Sequence, residues 1–286
     1  MKGIILAGGY GSRLYPITLS TSKQLLPVYD KPMIFYPLTL LMMAGIKDIL
    51  IICMSRDFEA YKTLFGDGSK LGIKISYEIQ HTQNGVAASF LIGERFIGNQ
   101  NVALVLGDNL LFGDSLMTNL KKSRKNHKGA KVYAYRVKNP EDYGVVEFNN
   151  TGKVISLVEK PKKPKSNYAI IGLYFYDNKV IEYAKKVKPS INSELQITDI
   201  NKMYFKNGEL FAEKLGRGYA WLDAGTIDGL YNASTFVKSI QERQGIQIGC
   251  PEEVSYRLGY LSKNEIIKNL PKSNQYSNYV RQVLNE

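Results

Sequence analysis

Apolar positions in the first half of the chain alternate between short continuous runs and longer periodic stretches. Residues 3–7, Gly-Ile-Ile-Leu-Ala, form an apolar run that ends at Gly8-Gly9 and predicts a buried strand. Residues 33–44 carry apolar side chains at helical spacing and stop at Gly45, which predicts a helix. By the same reading, residues 49–54, 73–79, 102–106 and 131–137 are strands, and 87–96 and 116–126 are helices. Strands and helices alternating at this spacing make an α/β fold with a mostly parallel sheet covered on both faces.

The rhythm changes in the second half. Residues 143–148 and 154–159 flank Asn149-Asn150-Thr151-Gly152 and predict a hairpin. Residues 168–176 read as another strand, and 227–244 as a long helix stopped by Gly245. From about Pro251 the tail is amphipathic and helical. No internal repeat or low-complexity linker divides the chain. We expect a single domain over 1–286, with a core to about residue 245 and a helical C-terminal segment over 246–286. The lysine-rich stretch 160–165 is expected as a surface loop.

Composition narrows the classes. A hydrophobic content of 44% in 286 residues supports a large buried core and excludes global disorder. The net charge of +12 suits a protein that handles phosphates, a nucleic-acid binder, or a merely lysine-coated surface. Cys53 and Cys250 are far apart, so neither a zinc site nor a disulfide framework is indicated, and a reducing, cytoplasmic setting is expected. His81 and His127 make no metal-ligand spacing. The N-terminal apolar run is too short for a signal peptide, and no stretch approaches the roughly 18 apolar residues of a membrane span.

Candidate chemistry begins where the first strand ends. Leu6-Ala7-Gly8-Gly9-Tyr10-Gly11-Ser12-Arg13-Leu14 is a strand emptying into a glycine-rich turn. Glycines let backbone N–H groups approach phosphate oxygens, and Arg13 adds a permanently charged donor fork. Lys23, followed by Gln24, supplies a second cation. The turn is not a P-loop, because no Gly-Lys-Ser/Thr follows. It is not the dinucleotide fingerprint, because Leu14 stands where the third glycine belongs. Asp108, in Gly107-Asp108-Asn109, sits just past a buried strand, where open α/β sheets place ligands. Asp223 follows another apolar stretch; two converging carboxylates suit Mg²⁺, although each alone also reads as a turn or cap residue. Glu159-Lys160 after a strand suits a sugar phosphate and its hydroxyls, or a solvated surface pair.

These motifs occur in one order. The glycine turn with Arg13 and Lys23 comes first, then Gly107-Asp108-Asn109, Tyr143-Gly144-Val145-Val146-Glu147, Glu159-Lys160-Pro161 and Trp221-Leu222-Asp223. In that order the chain resembles the sugar nucleotidyltransferase family over essentially its whole length. Residues 23–37, 143–148, 167–177 and 216–223 look like its thymidylyltransferase branch in particular.

The resemblance implies a Rossmann-like mixed sheet flanked by helices, with a small β extension over a sugar site. It implies transfer of a nucleotidyl group from dTTP to glucose 1-phosphate, with Mg²⁺ held by Asp108 and Asp223. Arg13, Lys23 and Lys160 would be the catalytic cations. Leu6, Gly8, Gly9, Gly11, Ser12, Gln24, Gln80, Gly85 and Asp108 would hold the nucleotide, with Gln80 and Gly85 at the base. Tyr143, Gly144, Glu159, Ile170 and Trp221 would hold the sugar. A homotetramer and a second site for a feedback nucleotide sugar are also implied. Several positions depart from the branch: Ile170-Ile171-Gly172 for Val-Thr-Gly, Gln196 for glutamate, Ala88 for glutamine, Ala224 for threonine and Asp114 for histidine. They bear on sugar preference and feedback, not on the phosphate and metal residues. No nucleic-acid-binding signature accompanies the cluster Lys121, Lys122, Arg124, Lys125 and Lys128, and neither a nucleic-acid nor a membrane partner is expected.

Overall fold

The computed structural model describes residues 1–125 and 128–286. His127 and the last residue of the helix expected over 116–126 lie outside the described residues. The strands in chain order are β1 (Lys2–Ala7), β2 (Pro27–Val28), β3 (Lys31–Pro32), β4 (Asp48–Cys53), β5 (Lys74–Ile79), β6 (Val102–Leu106) and β7 (Asn109–Gly113). There follow β8 (Ala130–Arg136), β9 (Gly144–Phe148), β10 (Val154–Glu159), β11 (Tyr168–Tyr176), β12 (Leu210–Lys214) and β13 (Tyr219–Asp223). The main sheet runs β10-β9-β11-β6-β1-β4-β5, and β8 joins β11 to β12. The β6-β1-β4-β5 half is parallel, and β11 pairs antiparallel with β6, β8 and β9. The sheet is therefore mixed, as the family resemblance implied, with the parallel centre that the first half of the sequence predicts and a further parallel pair of β8 with β12.

Alternate residues of the central strands sort onto the two faces, as a pleat requires. Ile5, Ile51 and Val105 join one core cluster, and Ile4, Leu50, Ile52 and Leu104 the other. Each such side chain contributes about 1.5–3 kcal/mol by burial.

Two expected helices differ in detail. Residues 87–96 are divided into Ala88–Ile92 and Glu94–Ile97. Gly93 lies at the break, where a Cβ would come within 3.1 Å of Ile4 and 3.2 Å of Leu50, so close approach to the sheet takes precedence over helical continuity. The helix expected from residue 33 begins at Phe35, because the Met33 and Ile34 N–H groups donate to Leu26 and Gln24 carbonyls. The hairpin turn forms as expected: Asn149 Oδ1 accepts from the Thr151 and Lys153 backbone N–H groups, and Gly152 takes φ 80°.

β11 divides at Gly172. On one edge its C-terminal half, Leu173–Tyr176, pairs with β6 and Ala169 pairs with β9; on the other edge both halves pair with β8, with a register shift between Ile170 and Tyr174. After the long helix Ile227–Gln244 the chain folds into helices Pro251–Arg257, Lys263–Asn269 and Gln275–Val283. Cys250, Ile266, Val280 and Leu284 give this segment its own small core. The Tyr260 hydroxyl and Ser255 Oγ tie it to the Met42 and Leu71 carbonyls.

Candidate active site

β1 and β6 run side by side in parallel and end at the same edge, with β4 on the far side of β1. Such a switch point opens a crevice at the carboxyl ends of the strands. β1 empties there into the glycine turn, and β6 into Gly107-Asp108. Both glycine positions are needed for close approach. A Cβ on Gly8 would lie 2.0 Å from Gln80 Oε1, and one on Gly107 would lie 2.6 Å from Gln24 Cγ.

β13 supplies the second carboxylate. It pairs antiparallel with β7 so that Asp223 faces Asn109, and the Ala224 N–H donates to the Asp108 carbonyl at 3.0 Å. The ribbon thus sets two aspartates that are distant in sequence side by side. Lys23 Nζ donates to Asp108 Oδ2 at 2.5 Å, and Asn109 Nδ2 to Asp108 Oδ1 at 2.9 Å. The Gly225 N–H donates to Asp223 Oδ1 at 2.9 Å. A Cβ built on Gly225 would stand 2.7 Å from Arg13 Nη2, 2.8 Å from Asp223 Oδ1 and 2.9 Å from Asp108 Oδ2. Three of the predicted residues therefore converge on one small cradle that only glycine leaves open.

The electrostatics of the cradle are uneven. Burial pushes the Asp108 carboxyl up, but the charge and hydrogen bond of Lys23, the Asn109 amide and Arg13 outweigh it and hold the group below the usual carboxylate range. Burial and the neighbouring Asp108 charge push Asp223 up to about 6, against the Gly225 N–H, Arg13 and Lys23. Asp108 still raises Asp223 despite Lys23 and Arg13, and a further cation between the carboxylates would relieve the repulsion. Gly225→Ala is expected to lower turnover by about 100-fold, because the methyl displaces groups that must be aligned to within about 1 Å. The Gly225 backbone is not left-handed, so the variant should melt near wild type. Steady-state kinetics beside a thermal melt check this.

Beside the cradle lies a cavity of about 220 Å³. It brings together the predicted Leu6, Gly8, Gly9, Arg13, Lys23, Gln24, Gln80, Gly85 and Asp108. Ser22 Oγ donates to Gln24 Oε1 at 2.7 Å, fixing the Gln24 amide. Gly85 takes φ 84° and packs on the Leu195 backbone. Gln83, Val86, Leu106, Glu194 and Gln196 also line this cavity. Sequence reasoning did not assign them, although Glu194 and Gln196 fall in a segment it marked as unusual. Gly11 and Ser12 stay in the turn outside the lining. Gly11 is left-handed at φ 64° and accepts from Thr18 Oγ1 at 2.9 Å, and Ser12 is exposed.

The predicted sugar residues meet on the other side of Asp108. The Tyr143 and Trp221 rings pack edge-on at 5.1 Å. Glu159 Oε2 accepts from Thr198 Oγ1 at 2.5 Å, and a Cβ on Gly144 would lie 3.2 Å from that carboxylate oxygen. Lys160 is exposed in a left-handed conformation, φ 40°, with its N–H donating to the Tyr143 carbonyl. Strain of that kind is held where the surrounding structure demands it. Ile170 is different. It is 7% exposed, and its side chain belongs to the core with Ala134 and Val146. Thr198 and Asn109 are contributors that sequence reasoning did not assign.

A second cavity of about 320 Å³ lies apart from these residues. Its lining includes Tyr36, Leu111, Gly113, Gly249, Glu253 and Arg257.

A switch-point crevice with a glycine turn, two cations and paired carboxylates defines a nucleotidyltransferase, and residues 2–240 match the family model described as Nucleotidyl transferase. A glucose-1-phosphate thymidylyltransferase of Neisseria meningitidis is 54% identical over 286 residues, 99% of each chain. One of Mycolicibacterium smegmatis is 51% identical over 287 residues, again 99% of each. A Bacillus anthracis crystal structure assigned to the same group, in complex with a sucrose, superposes with a TM-score of 0.77 at 42% identity, covering 82% of this chain and 94% of that one. The chain belongs to the glucose-1-phosphate thymidylyltransferases of the nucleotidyl transferase family.

Proposed function

We propose that the chain transfers a thymidylyl group from dTTP to glucose 1-phosphate, forming dTDP-glucose and pyrophosphate for nucleotide-sugar and surface-polysaccharide synthesis. The observation that carries this reading is the convergence of Arg13, Asp108 and Asp223 at Gly225, between the Gln80 cavity and the Tyr143–Trp221 pair. The phosphate oxygen of the sugar attacks the α-phosphorus in line, and pyrophosphate leaves. The attacking group is already anionic, so no general base is needed. Arg13 and Lys23 neutralise the triphosphate, and Lys160 neutralises the sugar phosphate. Its ammonium has no ion-pair partner among the described residues. The Gln80 amide both donates and accepts, which suits the imide edge of thymine.

Mg²⁺ fits the residues present. Asp108 and Asp223 are oxygen donors around an open cradle, and no group of three or more His, Cys, Asp or Glu competes for the ion among the described residues. One or two carboxylates plus substrate phosphates are what Mg²⁺ commonly takes. When bound, it would supply positive charge to phosphate oxygens. The second cavity supports a feedback nucleotide-sugar site, and a cytoplasmic homotetramer is part of the same reading. No helix among the described residues is long and apolar enough to cross a membrane.

The test is pyrophosphate release with glucose 1-phosphate, with and without Mg²⁺, and each of dTTP, UTP, CTP, ATP and GTP. We expect strong release with dTTP, weaker with UTP, which lacks the ring methyl, worth about 1–3 kcal/mol, and carries a 2′-hydroxyl that dTTP lacks, and none with purines. Equal release with ATP, or none with glucose 1-phosphate, would overturn the reading.

A further inference from the structure

Asn109 follows the metal-candidate Asp108, is 5% exposed, and spends its amide in three directions. Its Oδ1 accepts from the Gly172 N–H at 2.9 Å and from Trp221 Nε1 at 2.7 Å. Its Nδ2 donates to Asp108 Oδ1 at 2.9 Å. The amide has one satisfactory orientation, since a flip would set an NH₂ against two N–H donors and an oxygen against a carboxylate. Gly172 makes room for it: a Cβ there would lie 2.7 Å from Asn109 Cγ and Oδ1. Gly172 is also the point at which β11 divides: Leu173–Tyr176 after it pair with β6, Ala169 before it pairs with β9, and the pairing with β8 shifts register across it. The division thus supplies both the space and one donor for this amide.

We propose that Asn109 is a positioning residue: it holds the Asp108 carboxylate by Oδ1, leaving Oδ2 for the cradle, and fastens it to the Trp221 indole on the sugar side. A carboxylate on a strand end has a free χ rotation unless something opposes it. Lys23 meets only Oδ2, from a flexible stem, so it cannot set the rotation alone. The Asn109 amide is fixed from behind by two N–H donors that belong to separate strands, β11 and β13. Groups that orient a ligating residue commonly govern metal affinity and turnover, often by 10–100-fold. The proposal rests on the reading of Asp108 as a metal carboxylate.

Asn109→Leu removes all three bonds at similar size. Asn109→Ser keeps a hydroxyl for Gly172 or Trp221 but is too short to serve Asp108 as well, and it secures the test should the leucine variant fold poorly. Mn²⁺ is the probe, its free concentration counted by electron paramagnetic resonance with dTTP present and no sugar phosphate. Trp221 is the only tryptophan in the chain, so its emission reports the indole directly. We expect both folded variants to bind Mn²⁺ about 10–100-fold more weakly, with a blue-shifted Trp221 emission in Asn109→Leu, where the indole N–H loses its acceptor to an apolar side chain. kcat should fall in parallel while KM for glucose 1-phosphate moves less than about threefold.

A folded variant that binds Mn²⁺ and turns over within about twofold of wild type overturns the proposal. Asp108→Ala separates the two levels. If it loses Mn²⁺ while the Asn109 variants do not, the positioning role alone fails. If it binds Mn²⁺ like wild type, the metal reading of Asp108 fails, and the proposal with it.

Discussion

Asp108→Ala is expected to lower turnover by about 10³-fold at saturating substrates, with the far-UV spectrum unchanged and the melting temperature within a few degrees of wild type. The size follows from removing one preorganised charge at the reacting phosphates, which typically costs 10²–10³-fold, together with half of the carboxylate pair. The small structural effect follows from what remains. The strand end is fixed by backbone bonds, Gly107 N–H to Leu6 and Ala224 N–H to Asp108, which alanine preserves. The substitution also has two opposing electrostatic effects: Lys23 loses its partner, and Asp223 loses a repelling neighbour. Lys160→Ala should show a comparable loss, concentrated in kcat/KM for the sugar phosphate, because its exposed ammonium holds nothing else in place. Near-normal kinetics in either purified variant would remove that residue from the machinery.

Asp223→Asn should lose activity and gain stability. The folded protein holds the Asp223 proton more tightly than the unfolded chain does, with a folded value of about 6 against an ordinary 3.8. Ionising it therefore costs stability. The penalty is absent below the ordinary value, grows as pH rises toward about 6, and is complete above it. Asparagine removes the charge, so the variant should melt several degrees higher than wild type at pH 8, on the order of 1–3 kcal/mol, and show no gain at pH 4. Asp108 has the opposite sign: its depressed value contributes stability above the ordinary carboxylate range that is lost as the pH falls through the folded value. Melting curves at the two pH values decide the matter; a variant equally stable to wild type at pH 8 would mean that the crowding of the two carboxylates has no energetic consequence.

The most legible part of the site was the part made by strand ends. An apolar run that stops at Gly8-Gly9 or at Gly107-Asp108 announces a buried strand meeting a ligand, because Gly8 and Gly107 serve close approach and Gly9 a positive φ of 103°. Convergence across the sequence was legible only through the order of motifs. Nothing in the local pattern of residues 109–113 or 219–223 says that these segments pair, yet their register is what sets Asp223 beside Asp108. Asn109 was invisible for a related reason: beside its neighbour Asp108, its partners Gly172 and Trp221 lie on β11 and β13, and only the tertiary fold brings them to one amide. Ile170 shows the converse. It sits in a segment shared with the family's sugar pocket, but strand alternation sends its side chain into the core. The break at Gly93 and the late start at Phe35 are cases where packing and backbone bonds override helical periodicity.

The two-stranded ribbon of β7 and β13 is joined at one end to the cradle, through Asn109 and Asp223, and at the other reaches Gly113, which borders the second cavity. Mechanically it is a short, stiff rod with a socket at each end. A ligand that occupies the far socket only in one position of the rod changes the free energy of the near one. By reciprocity, a substrate bound at the carboxylates changes the hold on that ligand by the same factor. Were the far cavity to take a ligand, product and substrate would be coupled through this one ribbon.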